Sequence, residues 1–340
     1  SIEYAGKSRH LLVTCYDGRP IKVEGNPDHP DALGASDAIS QACILDLYDP
    51  DRKASLQQVD GRQTFSRTWD DFAGWLSRQR KRWSESGGKG LAILLEKSTS
   101  PSIAGAVRRV QEQFPEAKIY IDDASQSKAV AGRMLAFGRR VVTRFDVAKA
   151  RVVLTLDADL LSDDPDSLRL TREYAANRDP DAKWMNRLYS VESTVSVTGG
   201  MADHRLPLRS SDVALLLAVL EAHIDDQDAI PQAVQRTFQH LPDAKNDQLA
   251  TFVTALVDDL DRHRGESLIV AGANQPASIH TRVQRRKEEV GKVGRTINYY
   301  RDRSVATYYQ GLQELAADIR SDSIETLLIL GCNPVHTAPS

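Results

Sequence analysis

Residues 90–123, "GLAILLEKSTSPSIAGAVRRVQEQFPEAKIYIDD", indicate the fold class of this chain. It begins with an apolar run of strand length, continues through a Ser/Thr-rich turn into a helical pattern, and ends in a second short apolar strand. Neighbouring parallel strands need a long crossover connection, and that connection is usually a helix. The strand–helix–strand order therefore predicts an α/β protein with a parallel sheet.

Further buried strands and helices follow along the chain. Apolar runs of strand length lie within three further stretches, "ARVVLTLDAD" (150–159), "ESLIVAGANQP" (266–276) and "IETLLILGCNP" (324–334). "SSDVALLLAVLEAHI" (210–224) and "NDQLATFVTALVDDLDRH" (246–263) carry strongly apolar helical patterns. A chain of 340 residues is long enough for two or three domains of this kind.

The N-terminal region, about residues 1–58, is a smaller β-rich unit. "HLLVTCYDGRPIKVE" (10–24) predicts a β-hairpin with its turn at "DG". A segment rich in proline and glycine follows at 25–34, "GNPDHPDALG", which we call the hook. We expect Gly25 and Gly34 in it to have positive φ angles, which glycine adopts without strain.

The overall composition excludes several classes of protein. A net charge of −3 and a pI near 6.3 provide no general basic surface for nucleic acid or anionic membrane. No apolar run approaches the ~20 residues that span a bilayer. Cys15, Cys43 and Cys332 form no C-x-x-C pair. They therefore do not indicate a disulfide framework, nor an iron–sulfur cluster held by four thiolates of this chain.

Two turns at predicted strand ends are the best candidates for a ligand site. They contain Gly272 with Asn274, and Gly331 with Asn333. Ligands of doubly wound sheets bind at the carboxyl ends of strands, where glycine lets a ligand approach the backbone and asparagine can contact a nucleobase or sugar. The same residues also serve ordinary turns, and for motifs this short we favour that interpretation.

Other patterns give no catalytic or metal-ligating residues. "LDADLLSDDPD" (156–166) gathers carboxylates that could hold Mg²⁺ or Ca²⁺. It lacks the glycine of an EF-hand loop, since Ser162 stands there, and we favour an acidic, solvated loop that leads into a helix. The histidines are scattered, with no H-E-x-x-H, and no serine or cysteine lies in a G-x-S-x-G turn.

The order of motifs resembles the molybdopterin oxidoreductase (DMSO reductase) family. The matching stretches are the hairpin and hook, "LGASDA" (33–38), "LYDPDR" (47–52), "MADHRLPLRSSDVALLLAVL" (201–220), "VGKVGR" (290–295) and "LLILGCNPVHTAP" (327–339). The resemblance implies cofactor-binding positions for a pterin guanine dinucleotide at Gly331, Asn333, Gly272, Asn274, Arg209 and Asp212, which we expect to be vestigial here.

The sequence departs from the family where cofactors bind. Asp37 stands where the last cysteine ligand of the family's 4Fe–4S cluster is expected, and we expect Asp37→Ala to affect stability little. Residues 209–212, Arg-Ser-Ser-Asp, replace a Pro-Gly-Thr-Asp turn, and 157–159, Asp-Ala-Asp, replace a Gly-x-Asn turn. No cysteine lies between Cys43 and Cys332, where a molybdenum ligand is expected.

A chain that keeps the scaffold and loses these ligands resembles one branch, the iron–sulfur subunit of alternative complex III, a bacterial quinol:electron-acceptor oxidoreductase. "LYSVESTVSVTGGMADHRLP" (188–207) and "GKVGRTINYY" (291–300) are similar to that branch. The resemblance implies a non-catalytic scaffold domain without molybdenum or iron, on the periplasmic side and peripheral to the membrane. Its partners would be a cluster-bearing C-terminal domain and the other subunits of a respiratory complex, not nucleic acid.

The resemblance also implies the domain organisation. We expect a cluster-less N-terminal region (1–58), a discontinuous Rossmann-like domain (59–130 with 265–340) and an inserted Rossmann-like domain (131–264). Strands near 91 and 119 would then share one sheet with strands near 268 and 328. Two alternatives remain open at this point. One is a fragment of an active molybdenum bis-guanine-dinucleotide oxidoreductase, and the other is a guanine-nucleotide-binding module that uses Asn274 and Asn333.

Overall fold

The computed structural model describes residues 2–4, 7–123, 128–223, 227–289, 294–302 and 309–337. The chain divides into two compact units. The first unit joins Ser1–Ser125 to Arg303–Ser340, and the second is the continuous segment Gln126–Asp302. Among the described residues, no helix combines the length and the apolar character needed to cross a bilayer.

The described strands are β1 Ile2–Tyr4, β2 Lys7–Arg9, β3 Leu11–Tyr16, β4 Arg19–Gly25, β5 Leu56–Asp60, β6 Gln63–Arg67, β7 Leu91–Glu96, β8 Lys118–Asp122, β9 Val141–Phe145, β10 Val152–Leu156, β11 Arg187–Glu192, β12 His204–Pro207, β13 Ser267–Ala271, β14 Ile297–Arg301 and β15 Thr326–Leu330. The described α-helices are α1 Ala38–Ala42, α2 Trp69–Glu85, α3 Pro101–Gln113, α4 Lys128–Phe137, α5 Ser167–Ala176, α6 Val197–Gly200, α7 Val213–His223, α8 Ile230–Thr237, α9 Asp243–Arg262, α10 Ala277–Glu289, α11 Leu312–Arg320 and α12 Pro334–Thr337.

The first unit contains a parallel sheet with the strand order β15-β7-β8. Helix α3 is the crossover between β7 and β8, as the 90–123 stretch predicts. The helix begins at Ser100, whose side chain accepts a hydrogen bond from the Ile103 amide, and Pro101 occupies the first turn. Val107 of α3 packs with Ile93 and Ile119 of the sheet in one apolar core. The prediction of an α/β fold with parallel sheets is confirmed.

The N-terminal region consists of two-stranded antiparallel ribbons, β1–β2, β3–β4 and β5–β6. Asp17 and Gly18 join β3 to β4 with φ angles of 48° and 76°, as a tight hairpin turn requires. In the hook, Gly34 has a φ of 88°, as expected. The expectation for Gly25 is wrong, since its φ is not positive. A Cβ there would lie 1.9 Å from the Ala35 carbonyl oxygen, so close backbone packing is what requires glycine.

The second unit is built on a four-stranded parallel sheet with the order β12-β11-β10-β13. Alternate residues of the central strand β10 enter opposite cores. Val152, Leu154 and Leu156 pack with helices α7, α8 and α9, whereas Val153 packs with α5 on the other face. A parallel sheet buried on both faces explains the continuous apolar run of this strand. A separate antiparallel pair, β9–β14, also belongs to this unit.

One predicted strand lies in a different sheet. The strand near 328, β15, pairs with β7 as expected. The strand near 268, β13, instead pairs with β10, with Ser267 opposite Val152, so its predicted place beside the strands near 91 and 119 is wrong. Residues 265–302 accordingly lie in the second unit and not with 59–130. An apolar pentapeptide can pair equally well in either sheet, so the sequence pattern does not determine its neighbour.

Candidate functional site

The carboxyl ends of β10 and β13 form the switch point of the second unit, because the strand order reverses between these two strands. Gly272 follows β13, and its amide donates to the Leu156 carbonyl at 2.9 Å. A Cβ at Gly272 would lie 1.7 Å from the Asp157 carbonyl oxygen. The two strand-end turns are therefore in direct backbone contact, which only glycine allows.

Asp157 organises a closed group of hydrogen bonds at this switch point. It has a φ of 55°, and its Oδ2 accepts from the Ser210 hydroxyl and, at 3.1 Å, from Nε2 of Gln275. Gln275 is 1% exposed and also donates to the Ser210 hydroxyl oxygen at 2.9 Å. The structure thus brings Gly272 and the 209–212 turn together around one carboxylate, which binds the side-chain donors of Ser210 and Gln275.

The other predicted residues of this unit lie around that group. Asn274 is exposed, and its carbonyl accepts from Nζ of Lys128 at 2.9 Å. Arg209 is exposed, directly before the turn. Asp212 is buried, and its Oδ2 lies 3.0 Å from Nε2 of His240. Asp212 therefore holds a histidine of its own unit, and Arg209 is the predicted residue with a charge exposed to solvent.

The remaining carboxylates at this edge are also bound by the protein itself. Asp159 accepts from the Thr198 amide at 3.0 Å and from its hydroxyl at 2.6 Å. Glu192, which is buried at the end of β11, accepts from the Ser196 hydroxyl and from Nε of Arg205, both at 2.6 Å. Burial alone would raise the pKa of Glu192, but these hydrogen bonds hold it below its ordinary value.

The interpretation of 156–166 as a solvated acidic loop therefore needs correction for its first residues. Asp157 and Asp159 bind neighbouring turns of the second unit and are not simply exposed to water. The sequence pattern shows the carboxylates but not their donors, which lie more than 30 residues away in the chain. Carboxylates satisfied by several donors are typical of structural hydrogen bonding.

The first unit has an apolar cavity of about 420 Å³ beside the carboxyl ends of β7 and β15. Its lining residues are Glu3, Ile93, Leu95, Glu96, Lys97, Ser98, Ile103, Ala106, Val107, Val110, Ile119, Leu330 and Gly331. The charged groups among them are two carboxylates and Lys97, whose Nζ lies 3.0 Å from Asp123. Burial and the charges of Glu3 and Asp122 raise the pKa of Glu96.

The predicted residues Gly331 and Asn333 are in the turn after β15. Gly331 has a φ of 75°, and a Cβ there would have ordinary contact with Glu96. Asn333 is exposed, and its carbonyl accepts from the His336 amide in α12. Burial raises the pKa of the intervening Cys332, as do the charges of Asp122 and Glu96, so this thiol is a poor nucleophile at neutral pH.

The sequence did not indicate Gln275 at the switch point of the second unit. It also did not indicate Glu3 and Glu96 at the cavity of the first unit. Gln275 stands one residue after the predicted Asn274, so the strand-end rule could have found it. Glu96 ends a predicted strand, but Glu3 lies far from it in sequence. Of the motif "VGKVGR", residues 290–293 lie outside the described residues. Gly294 has a φ of 85° and donates to the Ile297 carbonyl before β14.

Comparisons with known proteins agree with this architecture. No protein-family model matches the chain. The menaquinone reductase, molybdopterin-binding-like subunit of Nitratidesulfovibrio vulgaris is 25% identical over 202 residues, which are 58% of this chain and 28% of that protein. Acetylene hydratase from Pelobacter acetylenicus superposes with a TM-score of 0.56 at 14% identity, over 85% of this chain and 42% of that chain.

The chain thus spans less than half the length of either protein. The structural likeness extends over 85% of this chain and concerns the fold. The name of the sequence relative describes a molybdopterin-binding-like subunit. The chain therefore shares the α/β fold of acetylene hydratase and is similar in sequence to a molybdopterin-binding-like subunit.

Proposed function

We propose that this chain is a non-catalytic scaffold domain of an electron-transfer subunit in a quinone-linked respiratory complex. The name of the sequence relative supports a quinone-reductase-like subunit. The resemblance to the iron–sulfur subunit of alternative complex III supports the same role, with iron–sulfur clusters carried by another part of the subunit. The observation that carries the proposal is the switch point of the second unit, where Asp157 binds the side-chain donors of Ser210 and Gln275.

The residues at that switch point do not fit a pterin guanine dinucleotide. A pyrophosphate is bound by N–H and O–H donors at glycine-rich turns. Here Ser210 and Gln275 donate to the Asp157 carboxylate, and Gly272 packs against the Asp157 backbone. A pyrophosphate would have to displace this carboxylate and would be repelled by it. The exposed guanidinium of Arg209 is a favourable charge, but it has no open cradle beside it.

The cavity of the first unit also fits this ligand poorly. Its lining is mainly aliphatic, and Glu3 and Glu96 contribute negative charge. The one cationic lining residue, Lys97, already pairs with Asp123. Gly331 has a positive φ in the turn after β15, yet the neighbouring charge has the wrong sign for a pyrophosphate. We therefore propose that this part of the subunit carries no molybdenum cofactor.

The position of Asp37 supports the absence of a cluster in the N-terminal region. The Asp37 carboxylate lies 3.3 Å from Nε of Arg9, which is 8% exposed. Asp37 also caps α1 by accepting from the Ser40 amide at 2.6 Å. The residue that stands at the expected cysteine position thus joins the end of β2 to the start of α1. An ion pair that connects two elements is a structural replacement for a shared cluster.

The exposed apolar surface of the N-terminal region supports a role in assembly. Leu12, Val13, Tyr16 and Ile21 of the β3–β4 ribbon are each at least half exposed. Leu12 and Val13 are consecutive in a strand, so they point to opposite faces of the ribbon. Large apolar side chains on both faces of a two-stranded ribbon are typical of a segment that another protein surface covers. We propose that partner subunits or the cluster-bearing domain cover it, on the periplasmic side of the membrane.

Elemental analysis and pterin fluorescence of the purified chain test the proposal. We expect neither molybdenum nor iron in stoichiometric amount and no pterin fluorescence after oxidative release. One molybdenum per chain with a pterin signal would instead establish the alternative, a fragment of an active molybdenum oxidoreductase. Expression in a host that makes the guanine-dinucleotide cofactor, with a cofactor-loaded enzyme of the same family as positive control, makes a negative result decisive.

The second alternative, a guanine-nucleotide-binding module, has a separate test. It would use Asn274 and Asn333, both of which are exposed in strand-end turns. Titration with GDP and GTP by calorimetry should give no heat beyond dilution if the scaffold proposal holds. Saturable binding that Asn274→Ala or Asn333→Ala abolishes would favour the nucleotide-binding module.

A further inference from the structure

Two histidines and an aspartate meet in the N-terminal region, and none of the three belongs to the residues described above at the strand ends. His10 lies between β2 and β3, and His29 and Asp31 lie in the hook. One ligand atom from each of the three residues lies within 4.8 Å of the others. The two imidazole rings are stacked, with centroids 3.4 Å apart and an interplanar angle of 16°. Spacing in the sequence did not indicate this group, because His10 is 19 residues from His29.

The backbone of the hook holds this arrangement in place. The Asn26 amide donates to the His10 carbonyl at 2.9 Å, and the Asn26 carbonyl accepts from the amides of His29 and Gly34. The Asn26 side chain accepts from the Asp28 amide at 2.9 Å. Asn26 therefore fixes the start of β3 and both ends of the hook at the same point. The ligand positions are preorganised by the backbone and do not depend on long side chains.

The ligand atoms of the three residues lie close enough together to gather around one metal ion. Two nitrogens bound at about 2.0–2.1 Å to a tetrahedral zinc ion lie about 3.4 Å apart. In the stacked arrangement the nitrogen lone pairs lie in nearly parallel ring planes, so one ring must rotate about its side-chain bonds before both nitrogens coordinate the same ion. The Asp31 carboxylate supplies a third ligand and a negative charge. Both histidines are half-buried and Asp31 is exposed, so an ion has an entry path from solvent.

We propose that His10, His29 and Asp31 bind a divalent ion of the zinc class, with a fourth position left for water or for a side chain of a partner. Imidazole and carboxylate ligands are typical of this class. The ligands are distinct from Asp37, which stands at the expected cluster-cysteine position and pairs with Arg9. The ion would join the start of β3 to the hook. The inference goes beyond the scaffold role and does not depend on it.

A hydrogen bond of His29 also changes when the ion binds. Nδ1 of His29 accepts from the Asp31 amide at 3.3 Å, at the long end of hydrogen-bond distances. An ion on Nδ1 replaces this contact. An ion on Nε2 moves the ring proton to Nδ1 and also ends it. In either case one long hydrogen bond is exchanged for a metal–nitrogen bond.

Calorimetric titration of zinc chloride into the tag-free, chelator-treated chain tests the proposal. We expect one saturable site and a rise in the melting temperature with zinc, because a ligand that binds only the folded state stabilises it. His10→Ala and His29→Ala should each weaken zinc binding by about tenfold or more. His336→Ala is the matched control, since it removes an exposed histidine elsewhere in the same unit, and should leave the affinity unchanged.

Asp31→Asn keeps the proposal testable if a histidine variant fails to fold, because it retains the shape of an exposed side chain. It should weaken zinc binding while circular dichroism and the metal-free melting temperature stay close to those of the parent chain. Absence of saturable zinc binding by the parent chain would overturn the proposal and leave the two histidines as a packing pair. Unchanged affinity in His10→Ala and His29→Ala would also overturn it.

Discussion

Gly272 is the residue at which the switch point of the second unit is most sensitive to substitution. Because its Cβ would lie 1.7 Å from the Asp157 carbonyl oxygen, Gly272→Ala must separate the turns after β10 and β13. We expect a loss of ~2 kcal/mol or more in the free energy of unfolding, as for overpacked sites. Gly200→Ala is the control, since a Cβ at Gly200 meets no atom within 4 Å. Equal melting temperatures for both variants would contradict the observed contact.

Asp259 makes the stability of the second unit depend on pH. It is 3% exposed, and its carboxylate accepts from Tyr189 and Arg187. Burial would raise the pKa of Asp259, but these hydrogen bonds hold it below its ordinary value. A carboxyl whose pKa is lower in the folded than in the unfolded state stabilises the fold above its unfolded pKa. That contribution is lost as the pH falls through the folded pKa.

Urea unfolding of the parent chain and of Asp259→Asn, at neutral pH and near pH 3, checks this expectation. The variant should lose about 2 kcal/mol at neutral pH. The difference from the parent should shrink in acid, because the unfolded carboxyl takes up a proton at higher pH than the folded one and the parent loses this stabilisation. Glu96→Gln is a control of opposite sign. Because the pKa of Glu96 is raised in the folded state, ionisation of this carboxyl destabilises the fold as the pH rises. An Asp259→Asn loss of equal size at both pH values would contradict the ionised hydrogen bonding.

At the scale of elements, the hook and α1 show where sequence reasoning stopped. The turn chemistry predicted the hairpin and the positive φ of Gly34, because both follow from local geometry. The ion pair of Asp37 with Arg9 was missed, since it joins residues 28 positions apart and no local pattern specifies it. The resemblance to the family indicated that Asp37 stands in the place of a cysteine. It did not indicate the helix cap or the ion pair that Asp37 forms.

We therefore expect Asp37→Ala to lower the stability of the fold, contrary to the expectation from the sequence. Removal of the helix cap and of the partner of buried Arg9 should cost about 1–2 kcal/mol. Asp37→Asn keeps a capping oxygen and loses the ion pair, so its melting temperature should fall between those of the parent chain and Asp37→Ala. A melting temperature for Asp37→Ala within error of the parent would restore the original expectation.

At the scale of the whole molecule, the sequence predicted the α/β class and the parallel strands but not every strand neighbour. The class follows from periodicity within each segment, which is local information. The pairing of β13 with β10 depends on packing against helices from several parts of the chain. The candidate residues at the strand ends were located for the same local reason. The partners that close the site, Asp157 and Gln275, are set by that tertiary packing.

The division into units predicts how fragments behave. Residues 126–302 form one continuous unit with its own parallel sheet. Residues 1–125 lack β15, which pairs with β7 along its whole length. We expect the 126–302 fragment to unfold cooperatively on heating and the 1–125 fragment not to do so. Cooperative unfolding of 1–125 alone, with no cooperative unfolding of 126–302, would contradict this division.

A crystal structure of the chain purified from a host that makes the pterin guanine dinucleotide tests the central claim most directly. We expect Ser210 and Gln275 both to donate to Asp157, the turns after β10 and β13 to remain in contact, and no dinucleotide density beside Gly272 or Asn333. Dinucleotide density at either residue, with the Asp157 carboxylate displaced from Ser210 and Gln275, would contradict the scaffold account and support a cofactor-binding oxidoreductase.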